Sequence, residues 1–354
     1  NPFDRKSKRY IKNRIRIRPI QGDFYYGVDG MGTIPSTMAH GLNVLQDVWV
    51  SPSSGVRYLG GNKSNNNNNK TKKRPQWQVR GNNGKDVLGT FDFLVIAHNG
   101  KCADRLMSRT PAKDLHKLLR VNFAPYVPKH GGSKMTLNSI YSLTFCLRSS
   151  SSVLSRALPK DQFICGFLKN HPNLRFLSCN TRKHHNNPEQ QDDVEVWTVL
   201  SSAKFGKAHK GPQEFLPPSL RNKVTGLLLK SLEEALALEE YSLVGKRDDD
   251  ENDDDYATPC FNILESRLQL WGAAVPLNTW QSTGFLYDEE HNVGACGDWL
   301  LDASIAGAWE SGYRLARHMA QQDNDDPLRS AGIQGGSFEA SPAVDKVGIG
   351  ALEG

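Results

Sequence analysis

The sequence lacks any long apolar run. No stretch among its 354 residues approaches the ~20 consecutive apolar residues that a membrane-spanning helix needs. What is present instead is a composition of 38% hydrophobic and 23% charged residues, which is typical of soluble globular proteins. A chain of this length can bury a core as two domains or as one large domain. We therefore expect a globular protein that has no membrane as a partner.

Paired cysteines are also missing. The six cysteines are scattered, with no Cys-x-x-Cys pair and no histidine at zinc-finger spacing. This pattern favours reduced thiols over a disulfide framework, and it predicts no metal site. An intracellular setting, cytoplasmic by default, follows from reduced thiols. The opening NPFDRKSKRY contains neither an initiator Met nor the apolar core of a signal peptide, which indicates a fragment or a processed form.

Positive charge spread over the whole chain is absent too. The net charge is +6, but residues 1–18 alone carry eight Lys and Arg residues against one Asp. The rest of the chain is therefore close to neutral, which disfavours a dedicated nucleic-acid face. We expect the partner to be a small-molecule substrate and not a nucleic acid, and we expect a monomer.

Two polar segments predict insertions. The stretch GGNKSNNNNNKTKKRP at 60–75 is of low complexity and lies between VRYL and WQVR, which are typical of consecutive strands. It therefore predicts an enlarged hairpin loop. The run DDDENDDD at 248–255 carries like charges that repel one another, and it predicts a second disordered insertion. From residue 321 onward the sequence is polar and Gly-rich without a period, which predicts a tail.

Apolar patterns predict two kinds of sheet. FDFLVIAHNG at 91–100 is typical of a parallel strand buried on both faces, and its break after Ala97 predicts a loop where ligands bind in open α/β sheets. Residues 10–20 and 43–55 also predict strands, the second ending in a turn. SIYSLTFCLRSS, QFICGFL, NLRFLSC and VEVWTVLSS predict an antiparallel series. Residues 217–238 predict an amphipathic helix, because their apolar positions recur at helical spacing.

The stretch GACGDWLLDASIAGAWESGYRLARHM at 294–319 combines a strand of small residues, a carboxylate and a helix with many Ala, Gly and Ser residues. Asp298 follows the strand, where it can accept hydrogen bonds from ligand hydroxyls, and Asp302 or Ser304 can cap the helix. The N–H groups and dipole at the helix N-terminus suit an anion. A flat, polyhydroxylated, partly anionic ligand would satisfy all of these features. The alternative is that the small residues only permit tight helix–sheet packing and that Asp298 is only a cap.

This stretch resembles the C-terminal flavin motif of FAD-dependent amine oxidases, and most closely that of the renalase-like branch. The shared pattern is Gly-Asp-Trp-Leu, a short turn, and then Gly-Ala-Trp-x-Ser-Gly-x-x-Leu-Ala. Upstream segments resemble the same family, in order, over roughly residues 20–320: YYGVDGMGTIPSTMAHGLNVLQDVWV, FDFLVIAHNG, VEVWTVLSSAKFGKAH and LQLWGAAVP. The final motif is the specific part of this resemblance.

The resemblance implies an α/β (α+β) flavoprotein. One domain would be Rossmann-like, bind FAD and be incomplete at its N-terminus; the second would be an antiparallel-sheet substrate domain. Along the chain this implies a basic connector, a first FAD-binding part, the substrate domain, a C-terminal FAD-binding segment and a flexible tail (1–26, 27–104, 105–275, 276–320 and 321–354). The implied cofactor-binding residues are Val50, Ala97, Gly297, Asp298, Ser304, Ile305 and Ala306.

The resemblance also implies roles for these residues. The backbone of Val50 would meet the adenine and Ala97 would line the adenosine side. Asp298 would bind the ribityl or pyrophosphate region. The backbone of residues 304–306 would face the flavin pyrimidine edge, where helix N–H groups stabilise negative charge on the reduced flavin.

The chain departs from the family pattern in two respects. Ala306 stands where the family often carries Glu, so any role of that side chain is lost. The chain also lacks the strand, the Gly-x-Gly-x-x-Gly and the acidic ribose ligand with which the family opens, since no hydrophobic strand precedes GVDGMG at 27–32. We expect the N-terminal part of the gene product to be absent from this chain. A degenerate relative that binds no flavin is the alternative.

The implied function is hydride transfer from a reduced substrate to FAD and on to dioxygen, which gives hydrogen peroxide. The renalase-like branch implies NAD(P) binding and a dihydronicotinamide-type substrate, whereas an amine oxidase acts on an amine. Many amine oxidases place a Lys near the flavin N5; SIYSLTFCLRSS offers Arg148 and no Lys, which disfavours an amine. The sequence identifies no side chain as a catalytic base, and the flavin itself would carry the chemistry. A non-catalytic FAD-fold binding protein is the alternative from another class.

Overall fold

The computed structural model describes residues 16–18, 30–60, 75–158, 163–169, 171–184, 193–213, 215–236, 238, 263–321 and 329–341. In these parts the strands are β1 Arg16–Arg18, β2 Val56–Tyr58, β3 Trp77–Gly81, β4 Asp86–Phe91, β5 Leu94–Ile96, β6 Val121–Phe123, β7 Met135–Leu137, β8 Ile140–Arg148, β9 Cys165–Lys169, β10 Leu174–Cys179, β11 Val194–Ser201, β12 Ile263–Trp271, β13 Asn278–Gln281, β14 Leu286–Asp288, β15 Val293–Ala295 and β16 Ser337–Ala340. The α-helices are α1 Thr33–Met38, α2 Gly100–Ser108, α3 Lys113–Leu119, α4 Val153–Ala157, α5 Asn180–His184, α6 Ala203–Ala208, α7 Pro218–Leu236 and α8 Ile305–Ala320.

The chain divides into two compact units. Unit 1 comprises Asn1–Leu42, Ser139–Ala274 and Leu352–Gly354, and unit 2 comprises Asn43–Asn138 and Val275–Ala351. Residues 105–138, which the sequence analysis assigned to the substrate domain, therefore lie in unit 2. The physical reason is backbone pairing with the C-terminal half: Leu277 N–H donates to the Thr136 carbonyl oxygen at 2.8 Å.

Unit 1 is built on a six-stranded antiparallel sheet with the order β1-β9-β10-β11-β8-β12. Strand β11 shows why the sequence forms it, because every second side chain from Glu195 to Ser201 is buried. Its partner β8 follows in register, with Trp197 opposite Phe145. The predicted antiparallel series is confirmed for these strands. Residues 16–18 of the predicted strand at 10–20 form β1, and the other residues of that segment lie outside the described residues.

Helix α7 supplies the apolar layer that packs into the core of unit 1. Val224, Leu228 and Leu232 lie four residues apart and are fully buried. They join a core cluster that includes Phe145 and Trp197 from the sheet. The helix begins at Pro218, where a missing N–H group costs nothing. The helix predicted at 217–238 is confirmed.

Unit 2 contains several small sheets. Strands β2, β3 and β4 form an antiparallel sheet, and β2 pairs with β3 as the VRYL and WQVR segments predict. Most of the predicted hairpin insertion, residues 61–74, lies outside the described residues, as does the acidic run 248–255. A second sheet has the order β14-β15-β5, in which β15 and β5 are parallel.

Strand β5 differs from its prediction. Only three residues of the segment 91–100 form the strand, and it is not buried on both faces, because Val95 is 42% exposed while Ile96 is 2% exposed. Alternate side chains of a strand point to opposite faces. Within the described residues, only the face that carries Ile96 is covered.

Residues 43–50 form no strand, contrary to the prediction for 43–55. Their apolar side chains are exposed, with Leu45 at 60% and Trp49 at 54%. A strand requires a partner for its backbone groups, and none of the described residues pairs with this segment. Only the predicted turn is present, where Gly55 N–H donates to the Ser51 carbonyl oxygen at 2.7 Å.

The predicted tail contains a paired strand. β16 is antiparallel to β13, and Asn278 lies opposite Ala340. Phe338 of β16 is 5% exposed, and its ring centroid lies 5.1 Å from that of Trp280. The polar composition of this segment gave no indication that the Phe338 side chain is buried. The tail interpretation is therefore wrong for β16, and residues 322–328 and 342–354 lie outside the described residues.

Two general properties of the described residues complete the fold. No helix among them is long and apolar enough to cross a bilayer. The five cysteines that the structure describes carry free thiols, of which Cys179 and Cys296 are buried and Cys165 is exposed.

Candidate functional site

Two parallel strands of unit 2 end side by side. In their register Ala295 of β15 lies opposite Ile96 of β5, and the Cys296 N–H donates to the Ile96 carbonyl oxygen at 3.1 Å. The residues that follow the strands, 97–99 and 297–298, therefore lie at the same carboxyl edge of the sheet. Ligands bind at this edge in open α/β sheets.

Asn99 and Asp298 connect the two strand ends. Nδ2 of Asn99 donates a hydrogen bond to Oδ1 of Asp298 at 3.3 Å. Asn99 is the N-cap residue of α2, yet its side chain makes no capping hydrogen bond. The hydrogen bond to Asp298 therefore takes the place of the cap, and it fixes the carboxylate at the edge of the sheet.

Asp298 is a carboxylate whose proton affinity is increased by its surroundings. Burial raises the pKa of Asp298 to about 6, and the hydrogen bonds from Asn99 and from the backbone N–H groups of Trp299 and Asp298 itself oppose that increase. The negative charge of Asp302 raises the pKa further. Above about pH 6 the group is an ionised, half-buried acceptor for ligand hydroxyls.

Gly297 precedes this carboxylate and brings the Trp299 indole close to the backbone. Its backbone has φ 151° and ψ 171°, a conformation that glycine adopts readily and other residues avoid. A Cβ atom at this position would lie 3.0 Å from Cδ1 and 3.1 Å from Nε1 of Trp299. Apart from the chain neighbours of Gly297, no other heavy atom of the described residues lies within 4 Å of that point. The absence of a side chain at Gly297 therefore allows the buried Trp299 indole to pack against the backbone here.

The N-terminus of α8 supplies hydrogen-bond donors. Ser304 is the N-cap residue, and its Oγ accepts from the Gly307 N–H at 2.9 Å. Of the two predicted caps, Asp302 and Ser304, the structure selects Ser304. Ile305 and Ala306 occupy the first turn with exposed side chains, and no hydrogen bond among the described residues uses their N–H groups. These two groups and the helix dipole favour an anion or electron-rich oxygen atoms.

The small residues of α8 have a packing role. Gly307, Ser311 and Leu315 form the buried face of the helix. Ser311 Oγ accepts from the Gly297 N–H at 3.0 Å and donates to the Gly284 carbonyl oxygen at 2.6 Å. The packing alternative is therefore correct for this face, and Ser311 ties the helix to the loop that carries Asp298.

The structure brings some of the predicted site residues together and not others. Gly297 and Asp298 lie at the edge described above, and Ser304 holds the helix end that carries Ile305 and Ala306. Ala97 is exposed and directly follows β5 at the same edge. Val50 is half-buried in the turn before β2, and no hydrogen bond among the described residues joins it to Asp298.

Three residues of this site were not predicted. Asn99 had a signal, since it is a polar residue directly after an apolar strand, but its partner could not be identified from the sequence. Ser311 and Trp299 lie within the predicted motif, and nothing in their spacing indicated a hydrogen bond to Gly297 or an unpaired indole N–H.

Comparisons with known proteins give a distant structural similarity. No family model matches the chain, and no curated protein matches it. Among solved structures, it is similar to a putrescine oxidase, a triple mutant from a structure-based redesign of cofactor binding, with a TM-score of 0.40 and 16% identity. The similarity covers 83% of this chain and 54% of that chain, so this chain spans about half the length of the putrescine oxidase. Similarity at this level assigns no function and no residue role.

Proposed function

We propose that this chain is part of an FAD-dependent oxidoreductase and that FAD binds at the carboxyl edge of β5 and β15. The observation that carries the proposal is the Asp298 carboxylate, which Asn99 holds at the carboxyl edge of β5 and β15. A carboxylate in that position accepts hydrogen bonds from cofactor hydroxyls.

The donors and acceptors at this edge fit the polar parts of FAD. Ribityl and ribose hydroxyls are donors, which suit the Asp298 carboxylate. Phosphate oxygens and the carbonyls of the flavin pyrimidine ring are acceptors, which suit the N–H groups of Ile305 and Ala306. The resemblance of residues 294–319 to the flavin motif supports the same assignment.

The chemistry of the proposed reaction belongs to the cofactor. FAD, when bound, would accept a hydride from a reduced substrate and return the two electrons to dioxygen, which takes up two protons and becomes hydrogen peroxide. The protein contributes binding, orientation and fixed dipoles, and the α8 N-terminus would stabilise negative charge on the pyrimidine edge.

The proposed substrate is of the dihydronicotinamide type, as in the renalase-like branch, rather than an amine. Residues 139–150 contain Arg148 and no Lys. This absence of the Lys found in many amine oxidases favours the proposed substrate.

Titration of FAD against the full-length protein and its Asp298→Ala variant tests the proposal. A hydrogen bond to a charged acceptor contributes ~1.5–3 kcal/mol, so the variant should bind FAD roughly ten- to a hundredfold more weakly. Its unliganded form should be at least as stable as the wild type, because a half-buried charge is removed.

The matched control is Glu310→Ala, which removes a carboxylate that pairs with Arg314 on the surface of α8 at 2.7 Å. It should leave FAD affinity unchanged. Wild-type protein that shows no saturable FAD binding, or equal affinity in wild type and Asp298→Ala, would contradict the proposal.

A further inference from the structure

Helices α2 and α3 concentrate positive charge on unit 2. Residues 101–120 contain six Lys and Arg residues against two Asp residues, whereas the chain beyond residues 1–18 is close to neutral. The buried positions of the two helices are apolar, for example Leu106 and Leu115. All six cationic side chains are exposed: Lys101, Arg105, Arg109, Lys113, Lys117 and Arg120. Residues 100–120 are called the basic helix pair below.

The positive charges of the two helices form one surface. Nε2 of His116 on α3 and Oδ1 of Asp104 on α2 share a hydrogen bond at 2.8 Å. Residues three or four apart lie on the same face of a helix. Lys101 therefore lies on the face of Asp104, and Lys113 and Arg120 lie on the face of His116. The cations of both helices flank the bond that joins the helices.

The cations of this surface make few contacts within the protein. Lys113 Nζ donates to the Ser108 carbonyl oxygen at 2.9 Å, and Lys101 Nζ lies 5.5 Å from the centroid of the Phe123 ring. Within the part of the chain that the structure describes, none of the six forms an ion pair with a carboxylate. Like charges repel, so a negatively charged partner would stabilise this surface.

The composition of the surface favours an acidic protein segment over a membrane or a nucleic acid. No large apolar or aromatic side chain of residues 100–120 is exposed. A helix that binds a membrane surface inserts apolar side chains, and single-stranded nucleic acid stacks on aromatic ones. Carboxylates need only the cations, because Arg and Lys pair with them directly.

The spacing of the cations also suits an acidic segment. Lys101, Arg105 and Arg109 follow one another at intervals of four residues, or ~6 Å along the helix axis. Side chains on one face of an extended segment are ~6.6 Å apart, since they alternate. An extended segment with an acidic residue at every second position therefore matches the row of cations.

We propose that the basic helix pair is a docking surface for an acidic segment of a partner protein. Carboxylates of that segment pair with the exposed guanidinium and ammonium groups, and each Arg can offer two parallel hydrogen bonds to one carboxylate. This role goes beyond the proposed function and does not require FAD.

A fluorescent synthetic peptide in which Glu and Ser alternate serves as the probe. We expect it to bind the full-length protein saturably and to bind more weakly as the salt concentration rises, because salt screens exposed charges. The same peptide with Gln in place of Glu should not bind. Equal binding of the two peptides, or no saturable binding of the Glu peptide, would overturn the proposal.

Two double charge reversals separate the docking surface from the net charge of the protein. Arg105→Glu with Lys117→Glu should weaken binding of the Glu peptide roughly five- to thirtyfold, because two attractions become repulsions. The matched control, Lys204→Glu with Lys207→Glu, reverses two exposed cations of α6 in unit 1 and changes the net charge equally. It should leave binding within about twofold of wild type. Equal losses in the two variants would overturn the proposal.

Carbodiimide cross-linking of the wild-type protein gives a second measurement that needs no variant. The reagent takes up the water that is lost when a Lys amine and a peptide carboxylate form an amide. We expect mass spectrometry to find the peptide on Lys101, Lys113 and Lys117. Cross-links confined to the basic residues 1–18 would overturn the docking site. Tighter binding of duplex DNA or of phosphatidylserine vesicles than of the Glu peptide, lost in the Arg105→Glu and Lys117→Glu variant, would overturn the acidic protein as the partner.

Discussion

At the scale of single residues, the candidate site places a half-buried carboxylate beside an unpaired donor. Asp298 accepts from Asn99, and Trp299 keeps a free N–H one position along the chain. Both features cost the free protein stability, because burial disfavours the ionised carboxylate and leaves the indole unpaired.

The pH dependence of stability follows from Asp298. Its pKa is raised to about 6 in the folded protein from 3.8, so between these values the folded state binds more protons than the unfolded state. The contribution of Asp298 to the free energy of unfolding is therefore fully present below about pH 4 and is lost as the pH rises through 6. We expect Asp298→Asn to be more stable than wild type above pH 6, by on the order of 2 kcal/mol, with the difference vanishing towards pH 4. Denaturant unfolding at several pH values measures this.

The Asn99→Ala variant serves as the control for that titration. The hydrogen bond from Asn99 lowers the pKa of Asp298. Removing this hydrogen bond should therefore shift the pH range over which stability is lost to higher pH. A stability difference between Asp298→Asn and wild type that stays constant from pH 4 to 8 would contradict the assignment.

At the scale of elements, helix α8 combines a packed face with an available N-terminus. The absence of a side chain at Gly307 permits the Ser304 N-cap to form, because a Cβ atom there would collide with the backbone carbonyl of Asp302. Gly294 plays the corresponding role on β15, where a Cβ atom would lie 2.9 Å from the Leu315 side chain. The small residues therefore set how closely the helix approaches the strand, and this approach sets the position of its N-terminal donors.

Two alanine substitutions in α8 should have opposite effects. Gly307→Ala should destabilise the protein by about 1–3 kcal/mol, because backbone atoms of Asp302 cannot move aside cheaply. In Gly312→Ala the new Cβ would meet, among the described residues outside its own helix, only Cys296 Sγ at 4.0 Å, so the helical preference of alanine should stabilise the protein by about 0.5–1 kcal/mol. Thermal unfolding of the two variants measures the contrast, and equal effects would show that the Gly307 contact does not matter.

At the scale of the whole molecule, segments distant in sequence complete each unit. Unit 2 consists of Asn43–Asn138 and Val275–Ala351, and along the sequence the segment Ser139–Ala274 of unit 1 separates these two parts. β16 near the end of the chain is held to β13 through paired backbone groups and through Phe338, whose ring lies 5.1 Å from that of Trp280. Strand β16 is therefore part of a folded unit.

Replacement of Phe338 tests that role. Phe338→Ala should destabilise the protein by about 3–5 kcal/mol, the usual cost of removing a buried phenyl ring. Glu339→Ala changes the neighbouring exposed residue and should have an effect within about 0.5 kcal/mol. Chemical denaturation compares the two, and similar stabilities for both variants would indicate that β16 contributes little.

The sequence alone determined the features that depend on neighbouring residues. Helix α7 and the antiparallel strands follow from the spacing of apolar side chains, which each segment carries within itself. The loop from Gly297 to Ser304 was also readable, because a strand, a carboxylate and a helix cap stand in order along the chain.

Only the tertiary structure decided the features that need a distant partner. Asn99 meets Asp298 across 199 positions, and no local pattern specifies that pairing. Residues 43–50 have apolar spacing typical of a strand but no partner among the described residues, whereas β16 has a polar composition and gains a partner in β13. The unpaired N–H of Trp299 likewise depends on what surrounds it in space. Local preferences are fixed by the chain itself, but a strand or a binding residue exists only when another segment supplies the second half of its hydrogen bonds.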